Sequence, residues 1–469
     1  MRRRTLSLRE SCVGGSWKIG FAFGVALVAC LLAQPAAAQI TTQTLIGDAV
    51  SDVGNRYPDI DKAIQRFTNR DILGARLLLE DAKRKDATLP PTDLTMAKLH
   101  FLSGDEAAGR NALEATVSTS PNDPEVFLIL ADTAMRQGRS IEGEALYDKA
   151  LQLTEKFSEN QKRRRNFEIR ARNGRAAVAE RRRNWASAVA DLRALLKVDP
   201  ENATAHYRLG AAMFMLAKTP QEYGAGFAEF KEAKRLDKDK TIPNPYVSAA
   251  LWYDQLGKKT EAQTAFDRAI AEDKTGPNTT ASYAQWLIKT GNIEKSEATL
   301  AEARKANPSS LEILILSGVA ARMAKKMKPA EDYFLQALSI SPSNGAVLNQ
   351  LALLLVDQAD KEKQERALQF ALINSKLNPQ SSEAQVTLSW VLYQLGRLAE
   401  ADAAFRDGLR LGMGNLTPDS SYIVAKMLVD QNRADMAKQI LTSALDNETQ
   451  GIFVNRQDAQ ALLASLDKK

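Results

Sequence analysis

The sequence predicts an all-α solenoid of about eleven helix–turn–helix repeats ending in a capping helix. Three observations carry that prediction. First, small residues recur, most often at intervals of 34: Ala63, Ala97, Ala131, Ala176, Gly210, Ala250, Ala284, Gly318, Ala352, Ser389 and Ala425. Second, each is followed at twelve residues or more by another small residue, in the series Ala75, Gly109, Gly143, Ala188, Gly226, Ala262, Ser296, Ala330, Ala367, Ala401 and Ala437. Third, a larger apolar side chain stands four residues further on in all but one unit, as at Leu79, Tyr147, Phe230, Phe334 and Leu441. Residues four apart share one face of a helix, so each unit reads as two short amphipathic helices whose axes approach closely at the small residues.

The punctuation agrees. Gly104, Gly138, Gly257, Gly291 and Gly396 fall between the two series, where a first helix must stop. Pro121, Pro200, Pro308, Pro342 and Pro379 fall where the second helix must have ended. Such a pair cannot bury its apolar stripe alone, so neighbours stack and share one elongated core. The array is placed at residues 56–451. Residues 452–469 carry Ala459, Leu462, Leu463 and Leu466 at helical spacing and read as the capping helix; residues 39–55 read as an N-terminal tether. Extra residues near 157–166, 218–225 and 358–364 interrupt the period and are expected as surface loops.

The first 38 residues read as a signal peptide. Arg2, Arg3, Arg4, Arg9 and Lys18 precede an apolar run over 19–33, followed by Ala36, Ala37 and Ala38. Cleavage after Ala38 gives an exported, periplasmic protein. The alternative is a lipoprotein anchored through Cys30, which follows Leu27, Val28 and Ala29, and membrane attachment is expected only in that case. Removing this segment takes five basic residues and Glu10 away and lowers the net charge from +6 to +2. The basic balance of the whole chain is therefore no argument for nucleic acid, and no nucleic-acid partner is expected.

At this point the chain resembles the tetratricopeptide-repeat family of 34-residue helix–turn–helix units. The clearest unit spans 388–401 and continues to Phe405 and Leu409. The pattern departs from the family where an aromatic is common on the first helix, at Asp59, Asp93, Arg172, Thr280, Gln385 and Ser421. The resemblance implies that Ala63, Ala97, Ala131, Ala188, Gly210, Ala262, Gly318, Ala330, Ala401 and Ala437 are repeat-packing positions. It also implies a concave groove lined by the first helices, with candidate binding residues Arg170, Asn173, Arg181, Tyr207, Arg208, Arg322, Asn349, Trp390 and Tyr393, and with Asp254, Gln285 and Lys289 on the same face. The family's Lys/Asn clamp for a peptide carboxylate is not recognisable at the matching positions.

Ten basic residues against Glu168 and Glu180 in 162–183 form a candidate electropositive stripe for an acidic protein segment or an anionic polysaccharide; its alternative is a solvated helix face. An enzyme is not expected: no phosphate-cradling loop or nucleophile elbow occurs, and the repeats leave no segment for a catalytic domain. With two histidines, His100 and His206, and two cysteines, no metal site and no cofactor are expected. The resemblance implies a scaffold for protein–protein interactions in envelope, secretion or exopolysaccharide assembly. The alternative is a carbohydrate- or cell-wall-binding periplasmic protein using the solenoid groove.

Overall fold

The computed structural model describes residues 40–467 apart from 48, 51–56, 359, 413–415 and 447–450; the signal-peptide and lipoprotein readings lie outside the described residues. Among the described residues there are 24 helices and no strand. Helix α1 (Thr42–Ile46) precedes eleven pairs. These are α2 (Pro58–Thr68) with α3 (Ile72–Lys85), α4 (Thr92–Leu102) with α5 (Glu106–Thr119), α6 (Pro124–Arg136) with α7 (Ser140–Lys156), and α8 (Gln161–Arg181) with α9 (Trp185–Val198). They continue as α10 (Ala203–Leu216) with α11 (Pro220–Leu236), α12 (Pro245–Gln255) with α13 (Lys259–Glu272), and α14 (Pro277–Lys289) with α15 (Ile293–Ala306). The last four are α16 (Leu311–Met323) with α17 (Met327–Ile340), α18 (Gly345–Val356) with α19 (Lys361–Leu377), α20 (Ser382–Gln394) with α21 (Leu398–Gly412), and α22 (Pro418–Asp430) with α23 (Ala434–Asp446). Helix α24 (Arg456–Leu466) follows, and no helix is long and apolar enough to cross a membrane among the described residues. The chain divides into two compact units at Glu272/Asp273.

The small-residue series mark the close approach within each pair. A Cβ on Gly210 would lie 2.8 Å from the Gly226 carbonyl oxygen and from Phe230, and one on Gly318 would lie 2.4 Å from the Phe334 ring. Ala63, Ala97, Ala131, Ala188, Ala262, Ala330, Ala401 and Ala437 are buried. Where serine replaces alanine, its hydroxyl donates across the same approach: Ser296 to the Ala284 carbonyl at 3.2 Å, and Ser389 to the Ala401 carbonyl at 2.9 Å. A buried hydroxyl thereby finds its partner without widening the gap.

The turn inside a pair requires a left-handed residue. The five turn glycines have φ between 73° and 84°, and Arg70, Arg183, Lys325 and Asn432 take φ of 57° to 65° at the equivalent place in other repeats. At the far end, each of the five prolines lies two residues beyond the last residue of its second helix. Within each unit, successive first helices also pack on one another, as α6 on α8, α18 on α20 and α20 on α22, whereas second helices pack on the first helices beside them. First helices thus line the inner face.

Two expectations are corrected. The extra residues near 157–166 are a surface loop only in part: 157–160 connect the helices with Ser158 and Glu159 exposed, while α7 and α8 lengthen to 17 and 21 residues and Phe157 and Phe167 are buried against each other with ring centroids 5.3 Å apart. Likewise the inserts near 218–225 and 358–364 give 17-residue helices in α11 and α19. The tether is packed where it is described. Leu45, Ile46, Ala49 and Val50 are buried with Tyr57, Ile60, Met96 and Leu99, and α1 packs on α2 and α4.

Candidate functional site

In the 40–272 unit the basic run proves to be largely spent on the protein itself. Arg163 is fully buried, its guanidinium beside the rings of both Phe157 and Phe167 at 5.2 and 4.9 Å from their centroids, and it donates to Asp123 (2.7 Å) and Glu125 (3.0 Å). Nε and Nη1 of Arg163 are buried without a hydrogen-bond partner. Glu125 also pairs with Lys98. Burial pushes the Glu125 carboxyl up, but Lys98 and Arg163 pull harder and hold it at about 2. Asp123, with burial dominant, is raised.

Beside this cluster the chain holds its own N-terminal segment by backbone carbonyls. Lys162 donates from Nζ to Gly47 O (2.6 Å) and to Val50 O, Asn160 donates from Nδ2 to Ala49 O (2.8 Å), and Lys98 reaches Leu45 O at 3.4 Å. The outer arginines are matched by acids on neighbouring helices. Arg170 pairs with Asp132 at 2.8 Å, Arg175 with Asp148 at 3.2 Å and Asp191 at 3.3 Å, and Arg182 with Glu144. The expected electropositive stripe is therefore corrected to a mosaic of alternating sign. Arg208 donates to Glu180 at 3.0 Å and to Asn173, which joins α8 to α10 on the inner face. Arg181 and Asn173 are exposed, and Tyr207 packs on Phe230 at 5.4 Å. Burial raises the Tyr207 phenol.

In the 273–467 unit the groove candidates Arg322, Asn349 and Trp390 are covered, and Tyr393 is half-buried. Asn349 is 3% exposed and accepts from Asn374 Nδ2 at 2.5 Å; its amide also bonds Glu383. Arg322, 9% exposed, donates to Gln350 at 2.7 Å. Burial pulls its guanidinium down, opposed by Asp419, Asp357 and Asp458. Trp390 is 4% exposed, stacks on Tyr393 at 5.9 Å, and carries Lys426 Nζ 4.2 Å above its ring; Tyr393 donates to Asp430 at 2.8 Å. Trp390 is thus a packing residue here.

Sequence reasoning missed three features. Gly174, not only Ala176, is a close approach: a Cβ on it would lie 2.2 Å from Tyr147 Cζ. A glycine inside a 21-residue helix was the available signal, since it costs about 1 kcal/mol unless packing requires it. A cleft of about 350 Å³ opens among α10–α13, lined by Phe214, Tyr223, Phe227, Tyr246, Tyr253 and Arg268. Asp419 accepts from the backbone of Val454 (3.1 Å) and Asn455 (2.9 Å) and from Asn455 Nδ2 (2.8 Å). Among the described residues no group of three or more His, Cys, Asp or Glu could hold a metal ion.

The tetratricopeptide-repeat family model matches residues 94–156, 173–239, 284–345 and 349–415, more than half of the sequence, and the chain belongs to that family. No curated protein matches it. Similar solved structures include a thermophilic TPR protein of Thermus thermophilus (19% identity, 40% of this chain and 98% of that one, TM-score 0.34). Yeast Tom70 is 15% identical over 88% of this chain and 95% of its own, with a TM-score of 0.38. The pilF protein of Pseudomonas aeruginosa is 17% identical over 50% of this chain and 99% of its own, with a TM-score of 0.34.

Proposed function

We propose that the chain is an exported, non-catalytic scaffold that binds an extended segment of a protein partner on its inner face, in envelope, secretion or exopolysaccharide assembly. The observation that carries this reading is the polar surface of α8 and α10. Asn173, Arg181 and the Arg208–Glu180 pair sit on adjacent first helices with donors and acceptors of both signs, and Arg181 and Asn173 are open to solvent. Such a surface suits a segment of mixed polarity better than a uniformly acidic one, because the arginines already face carboxylates. Export rests on the 1–38 segment, and N-terminal sequencing of the exported protein should begin at Gln39; diacylglycerol on Cys30 would replace this with the anchored form. A photocrosslinker at Arg181 should capture a protein, with the adduct destroyed by protease, and Asn173→Ala with Arg208→Ala should reduce the yield. Capture of protease-resistant polymer alone would overturn the protein reading.

The carbohydrate alternative is favoured by one feature, the aromatic cleft, where Tyr246 lies 4.7 Å from Phe227 and Tyr253 lies 5.2 Å from Tyr223. Retention of the protein on envelope polysaccharide, lost in Tyr246→Ala, would support that reading.

A further inference from the structure

Between α11 and α13 the chain leaves a cleft open on the side away from the inner face. Both walls are second helices, and Phe214 of α10 with Tyr246 and Tyr253 of α12 close the bottom. The rings hold one another in place: Phe214 meets Tyr253 at 5.2 Å and Tyr223 at 5.3 Å, and Phe227 meets Tyr246 at 4.7 Å. Phe227, Tyr246 and Tyr253 are only half-buried, so aromatic surface still faces solvent within about 350 Å³.

Gly224 is a second, independent sign. It stands in the second turn of α11 and lines the cleft, and a Cβ on it would meet nothing within 4 Å. Glycine inside a helix lowers stability relative to alanine. Two residues on, packing requires that loss, since a Cβ on Gly226 would lie 2.7 Å from the Phe214 ring. At Gly224 no neighbour requires it, and what the missing methyl leaves is space in the cleft. The rim is mainly positive. Lys258 Nζ stands 4.5 Å from the Tyr223 ring, Lys231 Nζ stands 5.2 Å from the Phe227 ring, and exposed Arg268 lines the opening. The acid in the lining, Glu261, has Lys258 3.8 Å away.

We propose that this cleft receives a large aromatic side chain of a partner protein with acidic residues beside it, a docking point on the outer face distinct from the surface around Arg181. An aromatic ring suits aromatic walls, whereas a sugar would set its hydroxyls against Phe214 and Phe227 with few partners. A buried aromatic anchor supplies the affinity, and acids beside it meet Arg268 and Lys231, which favours encounter and selectivity. A second copy offers no such anchor, because among the described residues no Phe, Tyr or Trp is exposed.

The probe is a blocked Asp-Trp-Asp tripeptide, titrated against the full mature chain by ligand-observed NMR. Wild type should bind it, and Gly224→Leu, which fills the cleft from its wall, should weaken binding at least roughly tenfold. Gly224→Ala should weaken binding less and raise the urea midpoint, a pair of changes that misfolding does not produce. An Asn-Trp-Asn peptide should bind wild type roughly threefold more weakly, and Arg268→Gln with Lys231→Gln should erase that difference. No binding by wild type, or equal binding by wild type and Gly224→Leu, would overturn the proposal. So would binding of envelope polysaccharide in place of the peptide, which assigns the cleft to a glycan, or a wild-type dimer that Gly224→Leu loses, which assigns it to a second copy. None of these outcomes touches the inner face, so failure here leaves the Arg181 surface standing.

Discussion

The two units hold their own terminal segments with opposite chemistry. In the 40–272 unit, Lys98, Asn160 and Lys162 donate to the backbone carbonyls of 45–50, next to a buried cluster of Lys98, Glu125, Asp123 and Arg163. In the 273–467 unit a carboxylate, Asp419, accepts backbone amides with Arg322 as its charged neighbour, and elsewhere in the unit neutral amides are bridged without ions: Asn374 donates to Gly345 O (3.1 Å) and Asn349, and Asn378 donates to Asn374 at 2.7 Å. Backbone offers both donors and acceptors, so a helical array can grip a segment either way. The cost differs. Ions taken out of water depend on each other, whereas amides satisfy one another without charge.

That contrast is tested hardest by removing one ion. Arg163→Ala should destabilise the 40–272 unit by about 3–5 kcal/mol, since it leaves buried Asp123 without its cation, leaves Glu125 with Lys98 alone and empties the space beside Phe157 and Phe167. Urea denaturation of the mature protein measures it. Asn374→Ala in the other unit should cost less, about 1–3 kcal/mol, because it leaves unpaired only neutral groups. Equal losses would erase the distinction.

Acid should separate the units next. The folded pKa of Glu125 lies below its unfolded value of 4.5, so its contribution is present above that pH and is lost as the pH falls from 4.5 towards about 2. Glu383 and Asp419 are raised by burial, so the folded chain binds their protons more readily than the unfolded chain, and lowering the pH from neutral towards about 4 adds stability there. Unfolding followed through Trp185 in one unit and Trp390 in the other, in variants lacking the remaining tryptophans, should show the first signal weakening below about pH 4, once the opposing gain from protonating the raised Asp123 is complete, while the second holds. Glu125→Gln should flatten the first profile.

What was legible in the sequence was the part set by repetition. The close approaches at Ala330 or Ala401 and the turns at Gly257 or Gly396 recur because each pair solves the same packing problem. The ion cluster was not legible, because Arg163 stands in a run from Lys162 to Arg165 and nothing local singles it out. Only Phe167, one helical turn further on, hinted that this arginine and not its neighbours faces inward. Asp419 looked like an ordinary first-turn acid, since its partners lie 35 and 36 residues away. The close approaches can themselves be tested. Ala330→Leu or Ala401→Leu should each cost about 1–3 kcal/mol by overpacking, with a matching fall in the urea midpoint.

The smallest effect concerns the turns, where both units meet the same demand. Arg70 and Arg183 in one unit, and Lys325 and Asn432 in the other, hold φ of 57° to 65° where glycines stand in sister repeats. For a residue with a Cβ this region costs about 1–2 kcal/mol, less for asparagine. Glycine would relieve that strain but would also loosen the unfolded chain, by up to about 1 kcal/mol. The net gain for Arg70→Gly, Arg183→Gly or Lys325→Gly should therefore be a fraction of a kcal/mol, and for Asn432→Gly close to nothing. The reverse change is not symmetrical: Gly257→Ala or Gly396→Ala adds strain, partly offset by a stiffer unfolded chain, and should lower stability. A Cβ at either glycine meets nothing within 4 Å, so the loss would be backbone strain alone. If Gly396→Ala leaves the urea midpoint unchanged, the left-handed turn is not what fixes the angle between paired helices.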